Sequence, residues 1–459
     1  MSIKAKSNRQ DMLHGSLWNK LFMFAVPVAA TAILEQFFNA SDIAIVGNFT
    51  GTGKTIAVAA VSANSSVIAL IVNLFVGIAL GVNVVIANAI GKNDNKTINK
   101  AVHTSVSISL IVGVAVAIIG EFVAGTLLRF LNVPDDVFPS ALLYLRIYLL
   151  GMPVILLYNF ESAIFRSVGD TRTPLIALAV SGILNVILNL IFVVIFHMTV
   201  NGVAIATVIS NLISSVLLFT RLCRTNQSIH IDIKSLRIDT KTLIRIMQIG
   251  LPAGIQSAVF AVSNIVIQVA INSLGTVVMA ASGAAYNIEI FNYDILNAYS
   301  QACTTFVGQN SGAGNMQRCR KTFILCLAEG FFILASVLTM ILFFGKNLLA
   351  VFNNDPEVVS IGYQRLLIVM LAHSFSFFYE VMSGYLRGFG ISLVPAILTT
   401  VGVCGVRIAW IEFVFPKSET FRTIMTAYPI SLSVTAFMIL VALICYHPSR
   451  RFKKEGDGN

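Results

Sequence analysis

The sequence predicts an all-α integral membrane protein with twelve transmembrane helices in two pseudo-symmetric six-helix bundles. Three observations carry this. Of 459 residues, 56% are hydrophobic and 11% charged, with a mean hydropathy of +0.84; a soluble chain carries about twice that share of charge. Apolar runs long enough to cross a bilayer recur twelve times. The chain also matches itself at a shift of 221 residues.

A bilayer core needs about 20 mostly apolar residues per helix. Runs of that kind lie at 17–46, 56–88, 98–124, 138–164, 175–196, 202–221, 243–271, 277–308, 322–345, 358–384, 393–415 and 422–446. The first contains Pro27 and continues into Glu35, Asn39 and Asp42, the pattern of a retained helix and not of a cleaved signal peptide. Between the first two runs stands GTGKT, Gly51 to Thr55. A phosphate-binding loop needs a glycine five residues before its second glycine; Asn48 is there, and Gly47 is one place early. The stretch predicts a tight turn on the outer side. GQNSGAGN, Gly308 to Asn315, is a loose match to a dinucleotide loop and falls at an inner turn.

Basic residues assign the orientation. With the N-terminus inside, the inner segments hold 23 Lys and Arg, the outer segments 5, and Arg146, Arg365 and Arg407 lie within spans. Both termini are therefore expected in the cytoplasm and the chain in the plasma (inner) membrane. The net charge of +10 reads as a topology signal spread over every inner loop, not as a nucleic-acid surface. Six cysteines form no CxxC pair and have no histidine at zinc-finger spacing, so neither a disulfide framework nor a zinc site is expected.

At the shift of 221, Tyr158, Ser162, Arg166, Gly169 and Pro174 fall on Tyr379, Ser383, Arg387, Gly390 and Pro395, and Gly91 falls on Gly312. Before the first outer loop the shift is 225, and Pro27 meets Pro252 and Asn39 meets Asn264. Six helices per copy is even, so both copies share one orientation, a parallel repeat. The expected domains are an N-terminal lobe at 1–222, a basic cytoplasmic linker at 223–242, a C-terminal lobe at 243–447 and a basic tail at 448–459. Two such bundles suit a transporter that rocks about a site between them. No span needs a partner chain, so a monomer is expected.

A charge inside a span is costly and marks a candidate site. Glu35, Asn39 and Asp42 stand at i, i+4 and i+7 and form one polar stripe. A carboxylate with an amide can hold Na⁺ through oxygen atoms or exchange a proton. Asn185 and Asn189 stand at i, i+4 in the fifth run, and Thr207 in the sixth could face them, completing an oxygen-rich cage. In the eighth run Tyr286, Glu289, Tyr293 and Asn297 follow helical spacing with Asp294 adjacent, a stripe suited to an organic cation through charge and ring faces. Elsewhere, Glu161 and Glu380 are expected to pair with Arg166 and Arg387, and Glu121 and Glu329 to reach the interface from helix ends. Arg407 and Glu412, at i, i+5, face each other poorly, and His103 and His373 read as polar packing. Asp135, Asp136, Asp355 and Glu357 read as helix starts, which leaves an enzyme without clustered catalytic groups.

Pro27, SDIAIVG around Asp42, GLPAGIQ from Gly250 to Gln256, and the paired loops FRSVGDTRTP and LRGFGISLVP together resemble the multidrug and toxic compound extrusion (MATE) family over nearly the whole chain. The resemblance implies two lobes opening alternately to either side and export of small organic cations driven by Na⁺ or H⁺, with no tightly bound cofactor and no nucleic-acid partner. The family's first-helix acid maps onto Asp42, its fifth-helix positions onto Asn185 and Asn189, and its sixth-helix hydroxyl onto Thr207; Glu35 falls on a position lining the same cavity. The sequence departs from the pattern around Phe260, where some members carry an acid, and at Ser376, with Glu380 one turn on. The alternative, a flippase for a lipid-linked saccharide from a related two-lobe superfamily, would favour a strongly cationic cavity, and here intramembrane acids outnumber arginines.

Overall fold

The twelve apolar runs become fourteen α-helices among the described residues, because two runs are interrupted. The computed structural model describes residues 10–50, 54–131 and 133–448. The expected turn at Gly51, Thr52 and Gly53, the position Asn132 and the tail from residue 449 lie outside them. The helices are α1 (Leu17–Phe49), α2 (Lys54–Gly91), α3 (Asn95–Phe130), α4 (Phe138–Leu150), α5 (Met152–Ser167), α6 (Arg172–Leu190), α7 (Val200–Arg224), α8 (Thr240–Asn272), α9 (Thr276–Gly312), α10 (Met316–Ala350), α11 (Pro356–Gly388), α12 (Leu393–Thr399), α13 (Val406–Phe413) and α14 (Phe421–Tyr446).

Among the described residues, ten single helices or helical runs are long and apolar enough to cross a membrane, and α4 with α5 forms one more span bent by 51°. The cause of the bend is local. Pro153 cannot donate the backbone bond that would continue α4, and its ring crowds the preceding turn. The repeat-related run carries Ser374 in its place, and α11 passes through as one helix. The remaining run, the eighth, is α9, 37 residues long, whose polar side chains keep it out of the most apolar set. Helices α12 and α13 are joined by a π-helical segment, Thr400–Gly405, and α6 ends in another, Ile191–Ile195.

The chain divides into two compact units: Met1–Gln10 with Ala30–Gly254, and Asp11–Ala29 with Ile255–Asn459. The division passes through α1 and α8, just after Pro27 and Pro252, so the first half of each helix belongs with the other unit's chain. In unit 1, α3 runs along α5 and α6 along α7. Its core is built from Val82, Ile86, Val102 and Ile164 in one region and Val46, Leu128, Leu145 and Val203 in another. In unit 2, α11 is the central helix, in contact with α9, α10 and α14. Leu21, Phe24, Phe306 and Phe377 form one part of its core and Ile271, Val403 and Ile424 another.

The repeat is visible in the turns. Gly169 and Gly390, related by the shift of 221, have φ of 86° and 83°, a left-handed conformation that glycine adopts without a Cβ clash. Asp94 caps α3 by accepting from the Thr97 N–H, and Asn315 caps α10 by accepting from the Arg318 N–H. The two copies differ at the next outer turn. Asp355 caps α11 through the Glu357 N–H, whereas Val137, at the capping position before α4, offers no side-chain cap. The basic segment after α7 is docked, not merely a tether: Ile229 and Ile231 are buried, the Asp232 N–H donates to His103 Nε2, and Asp239 pairs with Lys100 at 2.8 Å. That lysine, with Thr242, holds the Asp239 carboxyl well below the usual carboxylate range. His103 Nδ1 is 2.8 Å from the Asn99 carbonyl, so both ring nitrogens are occupied in packing.

Large apolar side chains such as Phe122, Phe332 and Phe343 stand 83%, 74% and 77% exposed along the helices. So much contiguous apolar surface is what a bilayer, not water, covers.

Candidate functional site

In unit 1, three helices converge on one carboxylate. Asp42 lies in the second half of α1 and is 5% exposed. Asn189 Nδ2 in α6 donates to Asp42 Oδ1 at 2.6 Å, and the Thr207 hydroxyl in α7 lies 3.1 Å from Asp42 Oδ2. One turn along α6, Asn185 Oδ1 accepts from Asn189 Nδ2 at 3.2 Å, while its Nδ2 reaches Thr207 Oγ1 at 3.4 Å. The structure therefore brings together Asp42, Asn185, Asn189 and Thr207 as the sequence expects. Glu35 and Asn39 have exposed side chains one to two turns earlier on α1, and the side-chain bonds to Asp42 come from Asn189 and Thr207.

Two features make the cluster chemically incomplete. Asn189 Oδ1 is buried and accepts no hydrogen bond, although most buried polar atoms are paired. The Thr207 hydroxyl has one proton and two acceptors in reach, Asp42 Oδ2 and the Val203 carbonyl at 3.0 Å. By turning toward Val203 it can accept a hydrogen bond from a protonated Asp42, so it can serve both protonation states. The same oxygen atoms are the ligand type that a hard cation takes. No cluster of three or more His, Cys, Asp or Glu suited to a metal occurs among the described residues, so a cation here would rest on Asp42 and neutral oxygens.

Unit 2 has a different arrangement. Glu289, expected in a substrate stripe, is 4% exposed and held by Arg365 through two bonds of 2.8 Å. Arg365 also donates to Ser282 and lies 5.9 Å from the Tyr286 ring. The acid that composition made available to a cationic ligand is thus already paired, and Tyr286 already faces a cation. Tyr293 stacks on Phe260 at 6.3 Å and meets His373 at 6.5 Å. His373 Nδ1 is 3.1 Å from Asn292 Nδ2. Asp294 and Asn297 are part-buried on α9. Sequence reading missed the Arg365 partner. The signal was there, since an intramembrane arginine needs an acid nearby.

Arg407, in α13 after the π-helical segment, is 2% exposed. Its Nε donates to Ser431 Oγ at 3.1 Å and its Nη1 to Asn264 Oδ1 at 3.3 Å. The Tyr428 ring lies 4.3 Å from its guanidinium and the Phe260 ring 5.4 Å. No carboxylate pairs with it among the described residues. A desolvated cation–π contact contributes about 2 kcal/mol or more, against an effective burial penalty of several kcal/mol per ion.

The other expected acids sort as follows. Glu380 pairs with Arg387 at 3.5 Å. Glu161, expected to meet Arg166, instead accepts from Ser215 at 3.2 Å, because that hydroxyl on α7 faces it across the unit. Glu121 pairs with Arg146 at 3.3 Å. Glu329 does not reach an interface: it is 4% exposed in the middle part of α10, where helix packing covers it.

A helical membrane protein with a buried polar cluster in each of two repeated units is the architecture of a secondary transporter. The MatE family model matches residues 27–191 and again 252–411, once in each half. The chain belongs to the MATE family of membrane transporters. Its relatives include a Bacillus subtilis (strain 168) protein named "Probable multidrug resistance protein YpnP", 26% identical over 85% of this chain and 87% of that one. Another is the multidrug export protein MepA of Staphylococcus saprophyticus subsp. saprophyticus (strain ATCC 15305), 22% identical over 86% of this chain and 90% of the relative. A solved structure described as the outward-facing conformation of a multidrug resistance MATE family transporter of the MOP superfamily has a TM-score of 0.86 and 21% identity, over 96% of this chain and 98% of that one.

Proposed function

We propose that the protein is a multidrug efflux antiporter, exporting small organic cations by alternating access in exchange for Na⁺ or H⁺ taken at Asp42. The observation that carries the reading is the three-helix convergence on Asp42, with Asn189 Oδ1 left without a donor. The names of its relatives as multidrug export and resistance proteins support efflux of foreign small molecules. An intramembrane carboxylate whose partners are all neutral is a group that either a proton or a small cation can neutralise. When it does, the clamp from α6 and α7 on α1 changes from charge-assisted to neutral hydrogen bonds, which are about half as strong. Coupling requires that ion and drug prefer opposite states of the carrier. The lipid bilayer is the only other partner the reading needs, and one chain suffices.

The test is efflux of a fluorescent organic cation from loaded cells, comparing wild type with Asp42→Asn, with and without external Na⁺ at fixed pH. The expected outcome is efflux by wild type and none by the variant at equal membrane content. Na⁺ dependence assigns the ion as Na⁺. Loss on collapsing the proton gradient, with no Na⁺ effect, assigns H⁺. Normal efflux by Asp42→Asn refutes the coupling role.

A further inference from the structure

The two units invert each other's charge at related positions. By the shifts that align the repeats, Asp42, Asn185, Asn189 and Thr207 of unit 1 correspond to Ile267, Val406, Trp410 and Tyr428 of unit 2. Tyr144 corresponds to Arg365, and Val186 to Arg407. Unit 2 has therefore lost the cation ligands and gained two guanidinium groups. Arg365 is neutralised by Glu289. Arg407 is not. The nearby titratable groups are otherwise engaged: Glu380 with Arg387, and His373 with Asn292.

From this we infer that Arg407 is an oxyanion-binding site, and that the transporter also takes amphipathic organic anions carrying a carboxylate, sulfonate or phosphate group beside an aromatic body. The inference rests on the reading of the chain as an exporter of small molecules and widens its substrate class. A guanidinium has five N–H donors in a planar fork. Two meet acceptors, both of them neutral, Ser431 Oγ and Asn264 Oδ1. The remaining fork can hold an oxyanion through two parallel bonds. Water could satisfy those donors but not the charge. Tyr428 and Phe260 place aromatic rings beside the fork, with Tyr428 also 5.8 Å from Arg365 and Phe260 packed on Tyr293, so an aromatic body would join an aromatic cluster. The preceding π-helical segment, Thr400–Gly405, is the kind of wide turn that recurs at functional positions in helices. A lipid headgroup offers the same oxyanion chemistry. Arg407 lies well inside the Leu393–Lys417 span, however, so a headgroup would have to leave the interface to reach it.

The experiment uses two xanthene dyes of opposite charge, fluorescein as the anion and rhodamine 6G as the cation. Binding to the full-length protein in phosphatidylcholine nanodiscs is followed by fluorescence anisotropy. Wild type is expected to bind fluorescein. Arg407→Gln should weaken that binding at least about tenfold while rhodamine affinity stays within about twofold. Arg407→Lys, which keeps the charge but loses the fork, should fall between them. Wild-type fluorescein affinity in a folded Arg407→Gln protein overturns the inference, as does failure of the wild type to bind fluorescein. If Arg407→Gln does not fold, the thermal shift of wild type decides: no stabilisation by saturating fluorescein overturns the site. Adding phosphatidylglycerol to the nanodiscs separates the sources, since displacement of fluorescein would assign the oxyanion to a lipid and overturn the soluble substrate. Asp42→Asn keeps the two readings distinguishable. It should stop ion-driven export yet bind fluorescein as wild type does. Export by that variant would refute the coupling role and leave the anion site standing.

Discussion

Charge inside a membrane unit is tolerated when it is paired, and Arg365 and Glu289 show the rule most clearly. Both side chains are about 4–5% exposed and meet through two short bonds. Breaking such a pair by removing one partner costs about 3–5 kcal/mol, because the other charge stays buried alone. Arg365→Met is therefore expected to lower the thermal stability of the purified protein severely. The double variant Arg365→Met with Glu289→Gln should recover most of the loss, since no ion remains. Differential scanning fluorimetry on the four proteins of this cycle measures the coupling. Simple additivity of the two single effects would show that the two side chains do not depend on each other. The contrast with Asp42 is the functional point. A paired charge fixes structure, whereas a carboxylate held only by amide and hydroxyl groups can still change its charge.

An element must come close before its side chains can meet, and Gly182 governs how closely α6 approaches α1. The Phe38 ring lies where a Cβ on residue 182 would stand. Gly182→Ala forces the ring aside or pushes α6 away, and Asn185 and Asn189 lie only one and two turns further along the same helix. Transport is expected to fall at least about tenfold with insertion unchanged, the usual cost of a misplacement near 1 Å at a working site. Adding Phe38→Ala should restore much of it. An efflux assay on membranes matched for protein content checks both, and full activity in Gly182→Ala alone would refute the close approach.

At this scale the limits of the sequence are also physical. The Asp42 cluster was legible because helical spacing gives Asp42, Asn185 and Asn189 polar faces inside spans and the family resemblance maps Thr207 beside them. Spacing gave a face but no depth, so Glu35 and Asn39 shared the stripe although their side chains are exposed and Asp42 is buried. The α9 stripe was legible as a set of positions, but whether Glu289 was free depended on Arg365, 76 residues away in the chain. Twelve spans were countable from apolar length. The break at Pro153 and the π-helical turn before Arg407 were not, because backbone hydrogen-bond register leaves little trace in hydropathy.

For the whole molecule, the distribution of basic residues makes a claim that internal geometry does not: which side each helix end faces. The bias of 23 inner to 5 outer Lys and Arg implies that both termini face the cytoplasm. Two thiols and one loop turn this into an observation. Cys445 is exposed at the end of α14, Cys223 is part-buried at the end of α7, and the other four cysteines are buried. Glu419, on the turn between α13 and α14, is exposed at the opposite end of α14. In intact cells a membrane-impermeant maleimide should leave the wild type unlabelled, whereas a permeant one should label Cys445 before Cys223. Glu419→Cys in a chain with Cys445→Ser should take the impermeant label directly. Labelling of wild-type Cys445 by the impermeant reagent in sealed cells would invert the topology, and with it the side from which the proposed coupling ion would reach Asp42. The labelling pattern thus reads the sidedness of the helix ends, which is independent of the chemistry proposed for the buried carboxylate.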